Sequence, residues 1–535
     1  MNADTFLWQF SPELILLVGA CVTLIAGAGK AALRSTSASG LACATVILAL
    51  LVSIWHGQPS GESAVLGMWV TPLTFYVRCI ALGVGLLIVL VNWHQPEASE
   101  RGEYMALILF SLLGVLLTAS ANDLVVLFFA IELVSIPTYV LIALSRQDRR
   151  ASEAAVKYFF LGALATAILA YGMSFLYGAT GSTIIQTVSD GVVSSKFPSG
   201  PDMGGTALIG LLLVIVGLAF KVAAVPLHVY VPDVYEGAAS PITGMLGFVP
   251  KLAGFVALVK IFSAFHWDLP VEINWLMWVL AALTMTVGNV LALLQDNVKR
   301  MLAYSSIAHT GYMLIALLVG PVAGRGPMHD GVAALLFYIA VYGAMNLGAF
   351  ALLTAYRRGE QDVETLEDLA GLAKRAPLAA LALAICVFSL MGFPPTAGFL
   401  GKLYIFASAF SVDMNHAFRG PVIALAIIGV INSAIAAGYY LRIVANVYMG
   451  QEPQKLDRCG GAPVRLGLAL CSIPMLVLFA WPAGLAKGAR DAAVVMHHTA
   501  GGSNVQVTSA ADIHERDDLA ETVPPILRSA TISDP

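Results

Sequence analysis

Charge is scarce in this sequence. Only 12% of its 535 residues are Asp, Glu, Lys or Arg and 58% are hydrophobic, whereas soluble domains carry roughly a quarter charged residues. A soluble core is therefore excluded. Cysteine is also sparse: Cys21, Cys43, Cys79, Cys386, Cys459 and Cys471 are scattered without a C-x-x-C pair. Neither a disulfide framework nor an iron–sulfur site is written here, and the six read as packing residues. No Lys/Arg-rich tract occurs and the formal net charge is −4, which leaves no basic surface for nucleic acid. The apolar runs are continuous rather than alternating, which excludes barrel strands. A cleavable signal peptide is not expected, because the first apolar run follows an acidic, polar start and continues to full spanning length.

What is abundant is apolar sequence in long runs. A bilayer core about 30 Å thick needs about 20 such residues per helical crossing. The runs predict an all-α membrane protein with about fourteen transmembrane helices. They fall near 14–33, 40–56, 73–92, 104–120, 122–144, 155–178, 207–231, 241–262, 275–294, 301–320, 331–356, 378–410, 422–449 and 465–486. Only the polar break Ser120-Ala121-Asn122-Asp123 separates the fourth from the fifth. From Lys487 to Pro535 the chain is polar, contains Pro524-Pro525, and reads as a mobile tail.

Loop charge sets the expected orientation. With the N-terminus outside, the inner loops hold Lys30, Arg34, Arg101, Arg146, Arg149, Arg150, Lys299, Arg300, Arg357, Arg358, Lys374, Arg375, Lys455, Arg458 and Arg465. The other side holds only Lys196, Arg325 and Arg419.

Two spans five apart read as broken. The seventh contains Phe220-Lys221-Val-Ala-Ala-Val-Pro226-Leu-His228, where Pro226 removes a backbone donor and frees a carbonyl one turn earlier. The twelfth, Leu378 to Phe410, would be about 50 Å long as one helix at 1.5 Å per residue. Its centre, Gly392-Phe-Pro394-Pro395-Thr396-Ala-Gly398, accounts for the excess as an interruption. Paired interrupted spans point to inverted repeats around a midplane ion site. The expected organisation is a three-helix segment over 1–103, five-helix repeats over 104–262 and 263–450, a last helix over 451–486, and the tail over 487–535. Ordinary proline kinks in a helix bundle are the competing explanation.

An ionisable group at the bilayer centre costs about 2.5–3.5 kcal/mol on insertion scales, so such residues usually mark an ion path. Glu132 lies within Leu124–Leu144, Lys221 follows the apolar run Ala207–Phe220, Lys251 sits just after Pro250, and Lys402 is in the second half of the broken twelfth span. A structural ion pair or a snorkelling lysine is the bland alternative for each. Arg78, Lys260 and Arg442 fall near span ends, where a long side chain reaches headgroups, and Lys157 enters the sixth span by only a few residues. Glu132, Ser135 and Tyr139 share one helical face, as do Ser305, His309 and Tyr312. Such stripes line hydrated paths or bind helices together. His228 and His309 are candidate relays, since imidazole titrates near neutral pH. A carboxylate about 4 Å from a buried amine contributes roughly 4 kcal/mol at an effective dielectric near 20. The expectation is that Glu132 holds Lys221 protonated and that opening the pair sends the proton to Lys251 and then Lys402.

Several motifs resemble one family closely. They are Ser152-x-Glu-Ala-Ala-Val-Lys157-Tyr-Phe, Tyr177-Gly-Ala-Thr-Gly-Ser182, and Phe220-Lys221-x-x-x-Val-Pro226-x-His228-x-x-x-Pro232-Asp233-Val-Tyr235-Glu236-Gly237-Ala238. Pro250-Lys251, Asn297-Val-Lys299-Arg300-Met-Leu-Ala-Tyr304-Ser305-Ser306-Ile-Ala-His309 and Gly392-Phe393-Pro394-Pro395-x-x-Gly398-Phe399-x-x-Lys402 complete the set. Together they resemble the subunit N family among the antiporter-like membrane-arm subunits of bacterial NADH:quinone oxidoreductase, respiratory complex I. The likeness runs from the first span to about Gly450 and does not include the tail. It implies fourteen helices, two inverted repeats, broken seventh and twelfth helices, and a multi-pass place in the bacterial inner membrane. It further implies work inside a large complex whose other membrane-arm and peripheral-arm subunits hold FMN, iron–sulfur clusters, NADH and the quinone, with no cofactor or metal in this chain. By the resemblance, Glu132, Lys221, Lys251 and Lys402 form the proton path, with Lys157 and His309 contributing. Sister subunits can carry lysine or glutamate at the last of these positions; Lys402 favours subunit N.

Two other readings compete. Sister antiporter subunits of complex I, of membrane-bound hydrogenases or of multisubunit sodium/proton antiporters share the broken-helix lysines. An intramembrane enzyme, such as a lipid-linked transferase, would instead cluster carboxylates or histidines at one membrane face. Here the outstanding polar groups are single, deep and spread over separate helices.

Overall fold

The computed structural model describes residues 7–28, 37–59, 63–65, 67–95, 100–146, 148–185, 204–322, 326–359, 361–414, 416–451 and 456–498. Lys30, Arg34, Lys196, Arg325, Lys455 and the tail from 499 onward lie outside them. Helices α1 (Ser11–Gly27) and α2 (Ser37–His56) are followed by the hairpin β1 (Ser63–Val65) and β2 (Met68–Val70). Next come α3 (Pro72–Val91), α4 (Arg101–Ser120), α5 (Leu124–Ser145), α6 (Arg149–Thr180), α7 (Gly205–Lys221), α8 (Val231–Gly237), α9 (Ser240–Leu246) and α10 (Val249–Ser263). The chain continues through α11 (Val271–Leu293), α12 (Val298–Val319) and α13 (Gly331–Ala355) to β3 (Tyr356–Arg358) and β4 (Gln361–Asp362). It ends in α14 (Leu372–Arg375), α15 (Pro377–Met391), α16 (Ala397–Ala409), α17 (Arg419–Met449), β5 (Asp457–Arg458), α18 (Gly461–Ala480) and α19 (Ala483–His498). Among the described residues eleven helical stretches, Ser240–Ser263 taken as one, are long and apolar enough to cross a bilayer. Ser11–Gly27, Gly205–Lys221, Pro377–Met391 and Ala397–Ala409 are shorter apolar helices.

Short polar residues between the apolar runs start the helices. The break at Ser120–Asp123 places Asp123 at the N-cap of α5, where its carboxylate accepts from the Val125 amide at 2.8 Å. Asp148 does the same for α6 through Ala151, Asn297 for α12 through Arg300, and Asp330 for α13 through Ala333. Each satisfies a donor that a helix N-terminus leaves without an intrahelical partner.

Close helix pairs rest on glycine. A Cβ on Gly172 of α6 would lie 2.7 Å from the Val214 nitrogen of α7, and one on Gly288 of α11 would lie 2.7 Å from the Ala308 nitrogen of α12. In lipid, where apolar side chains gain little by leaving the tails, such backbone approach holds helices together.

Where the helices break, the freed backbone groups find partners inside the protein, as a water-poor layer requires. After α7 ends, the Thr310 hydroxyl donates to the Val222 carbonyl at 2.7 Å, the Val225 amide donates to Thr284 Oγ1 at 2.9 Å, and the Tyr230 hydroxyl donates to the Phe220 carbonyl at 3.0 Å. The second break lies between α15 and α16, where Gly392 takes φ +83° and its amide donates back to the Phe388 carbonyl. Gly398 then donates to Ser389 Oγ at 3.1 Å. A third interruption was not expected: the eighth span is α9 and α10 joined at Gly247–Phe248. Pro250, at the start of α10, has no amide hydrogen to extend α9.

At the C-terminal end, α19 runs to His498 and packs against α3 and α13, so the polar stretch beginning at Lys487 opens as a helix.

Candidate functional site

Glu132 lies one turn before Ser135 on α5, and Lys221 is the last residue of α7. The Lys221 ammonium donates to Glu132 Oε1 at 2.9 Å and to Ser135 Oγ at 2.8 Å. Thr166 of α6 donates to the same carboxylate oxygen at 2.7 Å. Lys221 is 4% exposed and Glu132 15%, so an enclosed amine meets a carboxylate that touches the protein surface. Desolvation makes such a pair expensive to break by deleting one partner and sensitive to small displacements of the other.

Lys221 and Lys251 line the same small cavity, with Tyr158, Tyr230, Val234, Tyr235 and Pro250 among its walls. It has room for about one water molecule. Beyond it, Lys251 donates to Ser306 Oγ at 2.6 Å and to the Ser306 carbonyl, and no carboxylate is paired with it among the described residues. Tyr342 donates to that hydroxyl at 3.0 Å, and Tyr235 meets it at 3.2 Å. The Lys251 nitrogen stands 5.4 Å from the centre of the Tyr342 ring, whose other neighbour is the imidazole of His309, 5.1 Å between centroids.

His309 is fully enclosed between two phenols. Nδ1 meets the Tyr338 hydroxyl, and Nε2 meets that of Tyr440 at 2.9 Å, which in turn meets Ser305 Oγ. Tyr312, one turn along α12, lies with its ring 4.8 Å from the Lys402 nitrogen. Lys402 donates to Ser433 Oγ and to the Met391 carbonyl, both at 2.9 Å. The Met391 carbonyl is freed by the break before α16. The structure thus brings Glu132, Lys221, Lys251, His309 and Lys402 into one polar row that is buried from Lys221 onward.

Two expected contributors fall outside that row. Lys157 is 43% exposed and bonded to Glu153 and Asp233, each at 2.9 Å. His228 sits half-buried in the stretch between α7 and α8. Two residues expected to reach headgroups do not. Arg78 is buried in a bidentate pair with Glu13 at 2.8 and 2.9 Å, because α1 places a carboxylate beside it. Lys260 is buried and donates to the Ala121 carbonyl at the C-terminus of α4 at 2.8 Å, where a cation suits the helix dipole. Arg442 does reach the surface and pairs with Asp296.

Sequence reasoning missed Thr166, Ser306, Tyr338, Tyr342, Ser433 and Tyr440. Tyr338 and Tyr342 had a signal, being hydroxyls four apart within the apolar run of α13. Among the described residues no group of three or more His, Cys, Asp or Glu side chains could hold a metal ion.

Residues 121–432 match the family model described as NADH:quinone oxidoreductase/Mrp antiporter, transmembrane. NADH-quinone oxidoreductase subunit N of Trichlorobacter lovleyi is 40% identical over 405 residues, covering 75% of this chain and 79% of its own length. The chain belongs to the subunit N family. Its Rhodospirillum rubrum relative, also a subunit N, is 35% identical over 90% of this chain and 96% of its own length. A chain of respiratory complex I from Thermus thermophilus, solved with bound aureothin, superposes with a TM-score of 0.73 at 30% identity, over 90% of this chain and 99% of that one. Subunit N proteins are antiporter-like membrane subunits of a proton-translocating oxidoreductase, so the buried row belongs to a multi-pass membrane protein of that kind.

Proposed function

We propose that this chain carries protons across the bilayer along Glu132, Lys221, Lys251, His309 and Lys402, inside an NADH:quinone oxidoreductase of the bacterial inner membrane. NADH oxidation and quinone reduction belong to other subunits, which hold FMN and the iron–sulfur clusters; this chain has no redox centre and works with membrane-arm and peripheral-arm partners. Its frame is fourteen crossings with the N-terminus outside, in which 104–262 and 263–450 are inverted five-helix repeats and 1–103 and 451–486 flank them.

The observation that carries the proposal is the pairing of Lys221 with Glu132 at 2.9 Å at one end of a row that His309 continues toward Lys402. With the pair closed, the carboxylate favours the ammonium form of Lys221. When Glu132 withdraws, the amine is left in an apolar site that disfavours its charge, and the proton passes through the small cavity to Lys251. From there the Ser306 and Tyr342 hydroxyls and the His309 imidazole lead to Lys402, which lacks a carboxylate partner among the described residues and releases the proton outward. Moving one charge through 100 mV takes about 2.3 kcal/mol, so the displacement of Glu132 must be driven from outside the chain. Lys157 and His228 are assigned to the approach rather than to the row itself.

The test is proton pumping by the assembled complex in liposomes carrying Lys221→Ala or Glu132→Ala. Loss of pumping with the complex intact is expected; unchanged pumping in both variants sinks the proposal.

A further inference from the structure

One wall of the cavity that Lys221 and Lys251 share is a helix too short to hold itself. α8 has seven residues, and isolated helices of that length are unstable in water. Val231, Val234 and Tyr235 on one side of it line the cavity that the two lysines share. Asp233 and Glu236 on the other side bond Arg300 at 3.1 and 2.7 Å. In its last turn the Val234 carbonyl keeps the Ala238 amide and the Tyr235 carbonyl takes the Thr243 hydroxyl, while the Glu236 carbonyl and that of Ala238 just beyond face the amine of Lys299, which is completely buried. That amine donates to the Glu236 carbonyl at 2.8 Å and to the Ala238 carbonyl at 2.6 Å.

Lys299 does not act from a neutral position. It stands in the first turn of α12, seven residues before Ser306, the residue that binds Lys251. One helix therefore grips both the second lysine of the row and the wall in front of it. The third partner of the Lys299 amine is Glu364 at 3.3 Å, which also accepts from Arg146 at 2.6 Å, just past the end of α5. The Glu364 carbonyl accepts from the Val298 amide at 2.7 Å. Arg146 in turn bonds Asp362.

We propose that Lys299 is a positioning residue for transfer between Lys221 and Lys251: with Glu364 as its countercharge, it clamps the carbonyl end of α8 and fixes the cavity wall across which the proton passes. This inference rests on the proton-path reading above. It assigns work to a lysine that the loop-charge count treats only as an orientation signal. Loss of the clamp lets α8 unwind from its C-terminal turn, so Tyr235 shifts on Ser306 and the gap between the two lysines widens.

The experiment uses the assembled complex carrying Lys299→Met, Lys299→Arg or Glu364→Gln, with Lys221→Ala in parallel. Two readouts are taken: protons moved per electron in liposomes, and amide hydrogen exchange of residues 231–238. In Lys299→Met, exchange should rise by about tenfold as two charge-assisted bonds are lost. Pumping should fall by about tenfold, as expected of a small misplacement of reacting groups. Lys299→Arg keeps both donors and should restore exchange protection and most pumping. Normal pumping by Lys299→Met overturns the proposal, as does lost pumping with unchanged α8 exchange. If Lys299→Met does not assemble, Glu364→Gln decides: faster α8 exchange with reduced pumping supports the clamp, and wild-type values of either overturn it. Normal pumping by Lys221→Ala would instead overturn the path reading itself.

Discussion

Lys221 and Lys402 both sit beside a broken span, yet their surroundings differ in kind. Lys221 closes α7 just before its break and faces a carboxylate, a serine and a threonine. Lys402 follows its break and faces a peptide carbonyl, a serine hydroxyl and the ring of Tyr312. One amine is held by a full opposite charge and the other by partial charges. Two lysines can therefore take opposite parts in one relay without any difference in residue type, because the partner sets how firmly each keeps its proton.

The largest effect should come from removing the held amine. Lys221→Ala should lower pumping by the assembled complex by about a hundredfold, the lower end of the range for loss of a proton-transferring group. Next comes Glu132→Gln, which strands Lys221 without its carboxylate, a change costing about 3–5 kcal/mol if the amine stays charged. The complex should pump slowly and gain little from higher driving force; Glu132→Asp should recover part of the rate. A sharper test makes the second lysine resemble the first. Ser433→Asp places a carboxylate within reach of Lys402, and pumping should slow severalfold while Ser433→Ala slows it less; equal rates would erase the distinction drawn here.

The smallest effect concerns an ion pair outside the membrane. Burial pushes the Asp362 carboxyl upward, but the Arg146 guanidinium together with Arg357 and Lys299 outweighs it and holds the group below its ordinary value of 3.8. A depressed carboxyl stabilises the fold above its unfolded-state value, and that contribution disappears as pH falls through the lower folded-state value. Exchange around β4 should therefore rise only below about pH 4, by an amount equivalent to about 1 kcal/mol or less. Arg146→Gln should shrink this acid step, leaving the part due to Arg357; an unchanged step in that variant would show that Arg146 does not govern it.

Much of this could be read from the chain alone because lipid makes exceptions visible. Glu132, Lys221, Lys251 and Lys402 stood out since each interrupts an apolar run. Pro226 and Gly392-Phe-Pro394-Pro395 marked places where a helix ladder cannot continue. Position along a span proved a poorer guide, as Arg78 and Lys260 show: both lie near helix ends, but neighbouring helices cover them, and only tertiary packing decides that. Ser306 was hidden because a serine hydroxyl costs little in a helix and commonly bonds its own backbone, and Tyr440 because its ring reads as one more apolar side chain in its run; Tyr338 and Tyr342 showed only in their spacing of four. Lys299 was hidden differently, as one more positive residue in a basic loop until α8 laid its carbonyl end upon it.

On the proposed path, the setting of His309 would act as a turnstile. A neutral imidazole has one N–H and one lone pair, so of the Tyr338 and Tyr440 hydroxyls one must accept from the ring and the other donate to it; on the proposed path, uptake at one nitrogen and release at the other would leave the ring tautomer and both hydroxyls reversed. Traffic through that ring would proceed singly, each passage waiting until Tyr338 and Tyr440 have swung back.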